Sequence, residues 1–566
     1  MKFDLEAFTP KTAVCLREGY SKKQLFNDLT AGITVGVISL PLVMAFAIGA
    51  GVDPARGLFT AIIAGFLISL FGGSRVSISG PTGAFVVIIF DIVQRQGYEG
   101  LIVATLLAAL ILITMGLAKC GSYIRFIPYP VTCGFTTGIA TSLFFNQMKD
   151  FWGLKIPHPK AEFFQRLAQY IEYKDSVNYA APLIAAFTLA LILLLRRVSR
   201  KIPGAIIATI LAGMLVYFFD IPVDTIEKKF GPVPSSLPIP SFPWEKISFD
   251  TIQLMFPDAI AIALLCAIES LLCAVVSDGM LGFRHKPNLE LIAQGIGNVG
   301  SIIFGGIPAT GAIARTTASV QLNARTPFAG MFSAVTLFIL MVMLAPLAGK
   351  IPLATLAAIL IFVAYNMAEF DHFKNLLKGP KSDIVVLLTT FSLTVFIDLT
   401  VAVQAGVLLA AFLFLKHMSE KTTIKVYEFM RKESSEEGKK DQEDGKAAKE
   451  SSVIPSGVEV FEIDGPFFFG VADLLNEVLR RLNKKPTVFI LRLPHVPLID
   501  GSGMQALKQF YKKCKGLKIE FLLSEVRPDV MHILQKSGVK KAIGSERFFP
   551  TLEEALKKAN EIVLLH

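Results

Sequence analysis

Two blocks of this sequence bring together residues suited to holding an anion. Phe71-Gly72-Gly73 is followed by Thr82-Gly83-Ala84, and far downstream Phe304-Gly305-Gly306 is followed by Thr310-Gly311-Ala312. Gly80-Pro81 and Ile307-Pro308 stop a helix at each block, because proline lacks the N–H and clashes with the preceding turn. Thr82 and Thr310 are then expected to cap helices that start afresh. A fresh helix start offers free N–H groups and the positive end of the helix dipole. Two such starts facing one cavity would favour a negative ligand. Gly80, Gly83 and Gly311 would let that ligand approach the backbone closely. Arg315, about one turn into the second helix, adds a full positive charge. Its alternative role is a strut, paired with a carboxylate or with helix carbonyls.

Glu269 is the other charge in apolar surroundings. It stands alone in AIALLCAIESLLCAVV, with Cys266 and Cys273 on the same helical face. A charge at membrane depth marks a functional site by default. Set between desolvation and Arg315, this carboxyl could take up and release a proton. A fixed Glu269–Arg315 ion pair is the competing reading. Asp278 and Asn298 are expected to cap or join helices, and Asp383 and Asp398 to lie in loops or caps. The six cysteines, Cys15, Cys120, Cys133, Cys266, Cys273 and Cys514, contain no CxxC pair and predict neither a disulfide framework nor a metal site. The seven histidines are scattered and read as solvated loop residues. No phosphate-binding loop, dinucleotide fingerprint or hydrolase motif occurs, so the chain reads as a non-enzyme with no cofactor.

These residues need a membrane to position them. The chain has 566 residues, 53% of them hydrophobic and 18% charged, with a mean hydropathy of +0.56. Apolar stretches recur from Leu29 to Phe414, many near the ~20 residues that span a bilayer. A net charge of +10 raises a nucleic-acid reading. The basic residues, however, sit in short loops between apolar segments, where they set orientation. Lys22 and Lys23, then Arg196, Arg197, Arg200 and Lys201, then Arg284, His285 and Lys286, then Lys374, Lys378 and Lys381 share one side if both termini are cytoplasmic. This predicts a multi-pass protein of the bacterial inner membrane, without a cleavable leader. Trp152 and Trp244 then fall in outer segments as candidate interfacial anchors.

Residues 1–24 read as a cytoplasmic arm and 25–418 as the membrane domain. Residues 419–456 read as a flexible linker, since KESSEEGKKDQEDGKAAKESS mixes charges without apolar periodicity. From 457 to 566 the pattern is soluble α/β. Strands are expected at Val458–Ile463, Thr487–Leu493 and Ile519–Leu523, and helices at Gly470–Leu482 and Ser502–Lys513. The alternation gives a sheet covered by helices.

SRVSISGPTGAF (Ser74–Phe85), AIESLLCAVVSDGM (Ala267–Met280) and GGIPATGAIART (Gly305–Thr316) resemble, in this order, the signatures of the SulP (sulfate permease) family of anion transporters. Residues 457–566 are similar to the STAS domain that follows the membrane part in that family. Within it, the bacterial dicarboxylate importers look nearest. The resemblance implies an all-α polytopic membrane domain of fourteen segments in two inverted repeats of seven, with core and gate subdomains, elevator-like alternating access and a homodimer. It implies an anion site between the third and tenth segments. Phe46, Gly80, Thr82, Gly83, Ala84, Gly311, Ala312, Ile313, Ala314 and Arg315 would line it, with Glu269 beside it.

Three departures from the family's pattern matter. A sodium-coupled bicarbonate member looks to have a threonine one turn after its acidic residue, where Cys273 stands here. A thiol is a poor ligand for a hard cation, which leaves a proton as the coupling ion rather than sodium. Ala312 and Ala314 stand where some members carry serines, so backbone N–H groups would hold the ligand. LIDGSGM (Leu498–Met504) matches the STAS strand-to-helix loop, but Gly501 replaces the serine that is phosphorylated in related antagonists. Ser502 is expected as the helix N-cap.

The first functional reading is a secondary active importer of a small anion (C4-dicarboxylate, sulfate or bicarbonate) driven by protons. Its partners would be the anion, the proton, the bilayer, a second copy and a cytoplasmic protein bound by the STAS-like domain. A nucleobase permease of the same fold is the second reading, and Arg315 and the STAS-like tail argue against it. A membrane-anchored regulatory sensor, which would move nothing, is the third.

Overall fold

The computed structural model describes residues 6, 8–123, 128–157, 159–160, 162–198, 203–242, 248–397, 399–421, 423–426, 454–468, 475 and 485–565. It falls into two compact units, Met1–Ala410 and Ala411–His566. Of the expectations above, Trp244, Arg200, Lys201, Asp398, residues 427–453 of the linker and, Leu475 apart, the helix at Gly470–Leu482 lie outside the described residues.

In the first unit the apolar stretches form helices. After the short α1 (Lys11–Glu18), α2 (Lys22–Gly49) opens on a capping box: the Ser21 hydroxyl accepts the Gln24 amide and the Gln24 side chain accepts the Ser21 amide. α3 (Pro54–Phe71) starts on proline, with Asp53 accepting the Ala55 amide at 2.8 Å. α4 (Gly83–Leu117), α5 (Tyr129–Phe151), α6 (Phe163–Glu172), α7 (Ala180–Val198), α8 (Gly204–Phe218), α9 (Ile226–Phe230), α10 (Phe249–Leu281), α11 (Pro287–Ile303), α12 (Ile313–Gln321), α13 (Phe328–Ala348), α14 (Leu353–Met367), α15 (Phe370–Leu376), α16 (Lys381–Phe396) and α17 (Leu399–Lys421) follow. Among the described residues, eight helical stretches are long and apolar enough to cross a bilayer. Gly97, at φ 66°, breaks α4 into two runs.

The helices sort into two packed groups. α4 packs on α10 and α11, α3 on α11 and α13, and α2 on α13. In the other group α5 packs on α14 and α16, and α7 on α8 and α14. Between α3 and α4, and again between α11 and α12, the chain leaves helical geometry. There β1 (Ser79–Gly80) and β2 (Thr310–Gly311) pair antiparallel, Ser79 opposite Gly311 and Gly80 opposite Thr310. All four residues are buried, which is the condition under which irregular backbone persists at membrane depth.

The second unit holds a sheet in the order β3 (Thr423–Val426), β4 (Val458–Asp464), β5 (Val488–His495), β6 (Glu520–Ser524), β7 (Phe548–Phe549). β3 runs antiparallel to β4 and the others are parallel. β3 and the end of α17 fall where the sequence predicts linker; a four-residue strand with a lysine inside it carries too little apolar pattern to be read. Both sheet faces are covered. Phe461, Phe489, Leu491 and Phe521 pack toward the helices Gly501–Gly516 and Pro528–Lys536, while Val458, Val488, Ile490 and Leu522 pack against Leu552–Leu564. Strands buried on both faces read as continuous apolar runs. Asp500, not Ser502, caps the helix Gly501–Gly516, its carboxylate accepting the Gly503 amide at 2.6 Å. Burial pushes the Cys514 thiol up to about 12, so it stays a neutral packing group.

Candidate anion-binding site

The β1–β2 pair aims two helix starts at one place. α4 begins after Thr82 and α12 after Ala312, and neither N-cap makes a side-chain cap bond. The expectation that Thr310 caps the second helix is corrected. Thr310 belongs to β2, and its hydroxyl donates to the Cys266 carbonyl at 3.1 Å. The first amides of both helices are thus left for another acceptor. Phe46, Gly83 and Ala84 are buried, Thr82 is half-buried, and Ile313 and Ala314 are exposed, so the second start is the open one.

Arg315 braces the two starts. Its Nη2 donates to the Pro81 carbonyl at 2.6 Å, and the side chain is buried. No carboxylate pairs with it among the described residues, Glu269 included. Its partner is instead a carbonyl outside any helix, which satisfies a donor without neutralising the charge. Gly80 serves this brace rather than a ligand: at φ 153°, a Cβ there would lie 2.8 Å from Arg315 Nη1. Gly311 likewise makes room for α10, where a Cβ would come within 3.0 Å of Ser270 Cα. At Gly83 the nearest atoms, on Phe46 and Val363, stand at 3.4 Å, with Leu143 at 3.6 Å. Leu143 on α5 and Val363 on α14 thus close the site from the second helix group; nothing in their apolar surroundings marks them in the sequence.

Glu269 is half-buried and accepts a hydrogen bond from the Thr82 hydroxyl at 3.2 Å. A carboxylate therefore touches the N-cap residue of α4. Cys273 is committed elsewhere, its Sγ to Thr316 Oγ1 at 3.1 Å. Thr316 Oγ1 in turn accepts the Ile78 amide at 2.9 Å.

A buried row on α11 holds the whole join. Glu290, Gln294, Asn298 and Ser301 follow one another at helical spacing. Asn298 grips Ala309 twice, donating to its carbonyl at 2.9 Å and accepting its amide at 2.8 Å. Gln294 donates to Ser79 Oγ and to Glu290 at 3.1 Å each. Ser301 donates to the Ile307 carbonyl at 2.7 Å, and Thr60 accepts the Ile307 amide at 2.7 Å. Sequence reasoning gave Asn298 a minor joining role and passed over Glu290, Gln294 and Ser301. The three- and four-residue spacing of this polar row in a largely apolar helix is the available signal. Asp278 joins elements as expected: its carboxylate takes both the amide and the ring nitrogen of His285 at 2.7 Å. That contact corrects the reading of His285 as merely solvated.

All six cysteines are free, and among the described residues no group of three metal-ligating side chains occurs. Helix starts that converge on a buried arginine inside packed apolar helices define a polytopic membrane protein with a candidate internal anion site. The sequence model of the sulfate permease family matches residues 25–390, and that of the STAS domain residues 451–555. This chain belongs to the sulfate permease family. It is 38% identical over 539 residues to YvdB of Bacillus subtilis (strain 168), covering 95% of this chain and 98% of that one. It resembles the transmembrane domain of a cyanobacterial bicarbonate transporter, BicA, at 30% identity and TM-score 0.62, over 68% of this chain and 98% of that one. The fold also matches the murine Slc26a9 anion transporter in its inward-facing state, at TM-score 0.86 and 17% identity, over 99% and 95% of the two chains.

Proposed function

We propose that this protein is a secondary active importer of a small anion, a C4-dicarboxylate, sulfate or bicarbonate, driven by protons. One observation carries the reading: two uncapped helix starts meet at Arg315, whose charge no carboxylate neutralises. An anion bound there accepts backbone N–H bonds and supplies the missing negative charge. BicA is by name a bicarbonate transporter, which supports an oxyanion substrate. Phe46, Thr82, Gly83, Ala84 and the stretch Gly311–Arg315 line the site, and Glu269 carries the coupling proton beside Thr82. The thiol at Cys273 favours a proton over sodium.

Counting α4 as two at Gly97, with α2, α3, α5, α7, α8, α10, α11, α12, α13, α14, α16 and α17, gives the fourteen segments of two inverted sevens. The two packed groups would then be core and gate, moving past each other as an elevator in a homodimer. Both termini would be cytoplasmic in a bacterial inner membrane, and the STAS domain would bind a cytoplasmic partner. The test is radiolabelled uptake into proteoliposomes, with sulfate, bicarbonate, succinate and fumarate as competitors at two external pH values. Uptake that one of these anions blocks, and that rises as the external pH falls, supports the reading. No uptake of any of them would refute it.

A further inference from the structure

A second group of cations lines a different cavity. The end of α5, the loop after it, the starts of α7 and α14 and the stretch 223–229 enclose about 350 Å³. None of the residues assigned to the transport site lines it. Lys149, Lys155, Lys228 and Lys229 do, together with Asp150 and Asp224. Lys229 pairs with Asp150 at 3.0 Å. Lys149 Nζ donates to the Ile156 carbonyl at 2.7 Å, and Lys228 Nζ to the Val223 carbonyl at 3.4 Å. Carbonyls satisfy a donor without neutralising its charge. With the Lys229–Asp150 pair set aside, the lining holds three lysines and one carboxylate, Asp224.

The walls are fixed, so the cavity is a formed feature. Gly153 sits at φ 63°, and a Cβ there would lie 2.9 Å from both Asn178 and Ala181. Asn178 ties three segments. Its amide donates to the Trp152 carbonyl at 3.2 Å, its Nδ2 to the Pro222 carbonyl at 2.5 Å, and its Oδ1 accepts the Ala180 amide at 3.1 Å. Across the cavity, Leu353 donates to the Asp224 carbonyl at 2.9 Å and Glu227 to the Gly349 carbonyl at 2.8 Å. α14 starts on Pro352 with no side-chain cap, so its positive end adds to the lysines. Trp152, beside Gly153, is 43% exposed, as suits an aromatic at headgroup level.

We propose that this cavity binds an oxyanion, a group whose several oxygens can accept from more than one ammonium at once. A free sulfate or phosphate ion and the phosphate of an anionic lipid share that chemistry. The proposal does not depend on the transport reading.

Trp152 supplies the test, because the chain has only two tryptophans. In a Trp244→Phe background, the full chain is placed in phosphatidylcholine liposomes and titrated with sodium sulfate, or with inorganic phosphate, at constant ionic strength. A parallel set contains phosphatidylglycerol in chloride buffer. Trp152 emission is expected to change saturably. The Lys149→Gln/Lys228→Gln double variant should weaken the response roughly tenfold or more, and Arg315→Ala should leave it unchanged. A response to the free ions assigns a soluble anion; one confined to phosphatidylglycerol assigns a lipid phosphate. Silence in both sets, an undiminished response in the double variant, or a response lost with Arg315→Ala would each overturn the proposal. Circular dichroism checks that the double variant folds. Lys155→Gln, at an exposed position, gives an independent variant expected to weaken binding several-fold if the double one does not fold.

Discussion

The two Phe-Gly-Gly turns are the same three residues held by opposite chemistry. After Phe71, the amides of Gly73 and Ser74 both donate to Glu290, at 2.9 and 3.0 Å. After Phe304, the carbonyls of Gly305 and Gly306 accept from Arg56 at 2.9 Å and Tyr98 at 2.6 Å. Arg56 also lies 3.5 Å over the Tyr98 ring. The helix starts that follow differ in the same sense. Thr82 reaches the carboxylate of Glu269, whereas Arg315 reaches a carbonyl. A repeat of residues is therefore not a repeat of electrostatics. The first block leans on acids, while the second is tied down by one cation and one phenol and contributes a cation of its own.

The sharpest way to break this comparison is Glu269→Gln, which imitates the protonated carboxyl. We expect anion binding and anion exchange to persist, while accumulation driven by an inward proton gradient is lost entirely. Wild-type accumulation in a proteoliposome assay would make Glu269 a structural partner of Thr82 and nothing more.

The turns come next. Glu290→Ala strands two buried amides at about 1–3 kcal/mol each, so a loss of about 2–6 kcal/mol in stability is expected. Arg56→Ala strands one part-buried carbonyl and should cost about 1–2 kcal/mol. Thermal midpoints of the purified variants check the order; equal losses would erase the asymmetry. Arg315→Ala removes a charge-assisted contact of about 1.5–3 kcal/mol, hence roughly ten- to hundredfold in anion affinity with the fold intact. Isothermal titration or competition uptake reads it, and unchanged affinity in a folded variant would remove Arg315 from the site. The smallest effect separates two glycines. Gly80→Ala must displace the Arg315 guanidinium from a strained backbone, at about 1 kcal/mol and a few-fold in affinity. Gly83→Ala meets only ordinary contacts within the protein and should match wild type in thermal midpoint, so any loss of affinity it shows comes from the added methyl facing the anion.

Much of the join was legible because proline and glycine punctuate it. Gly80-Pro81 and Ile307-Pro308 mark where helices stop, and lone charges such as Glu269 and Arg315 are conspicuous in apolar runs. The failures share one cause: a residue's partner is not written beside it. Thr310 has the residue type of a cap, but its pairing with Gly80 puts the N-cap at Ala312. Glu290 draws no reading from the sequence, since its partners Gly73 and Ser74 lie more than two hundred residues away in the chain. β3 escaped because a sheet partner, not its own pattern, makes it a strand.

The pairing of Ser79 with Gly311 also constrains how the molecule is made. Roughly 230 residues separate the two strands. At about 5–20 residues per second, the ribosome needs roughly 10–50 s to supply the second strand after the first. Throughout that interval Ser79 and Gly80 sit in or near the bilayer without their partner backbone, and for most of it the row on α11 that will hold Ser79 is itself still unmade. The first half of the nascent chain is therefore a sequence that waits. A truncated product ending before Gly311 would expose that unpaired stretch to quality-control proteases, even though its helices are individually apolar enough to remain in the membrane.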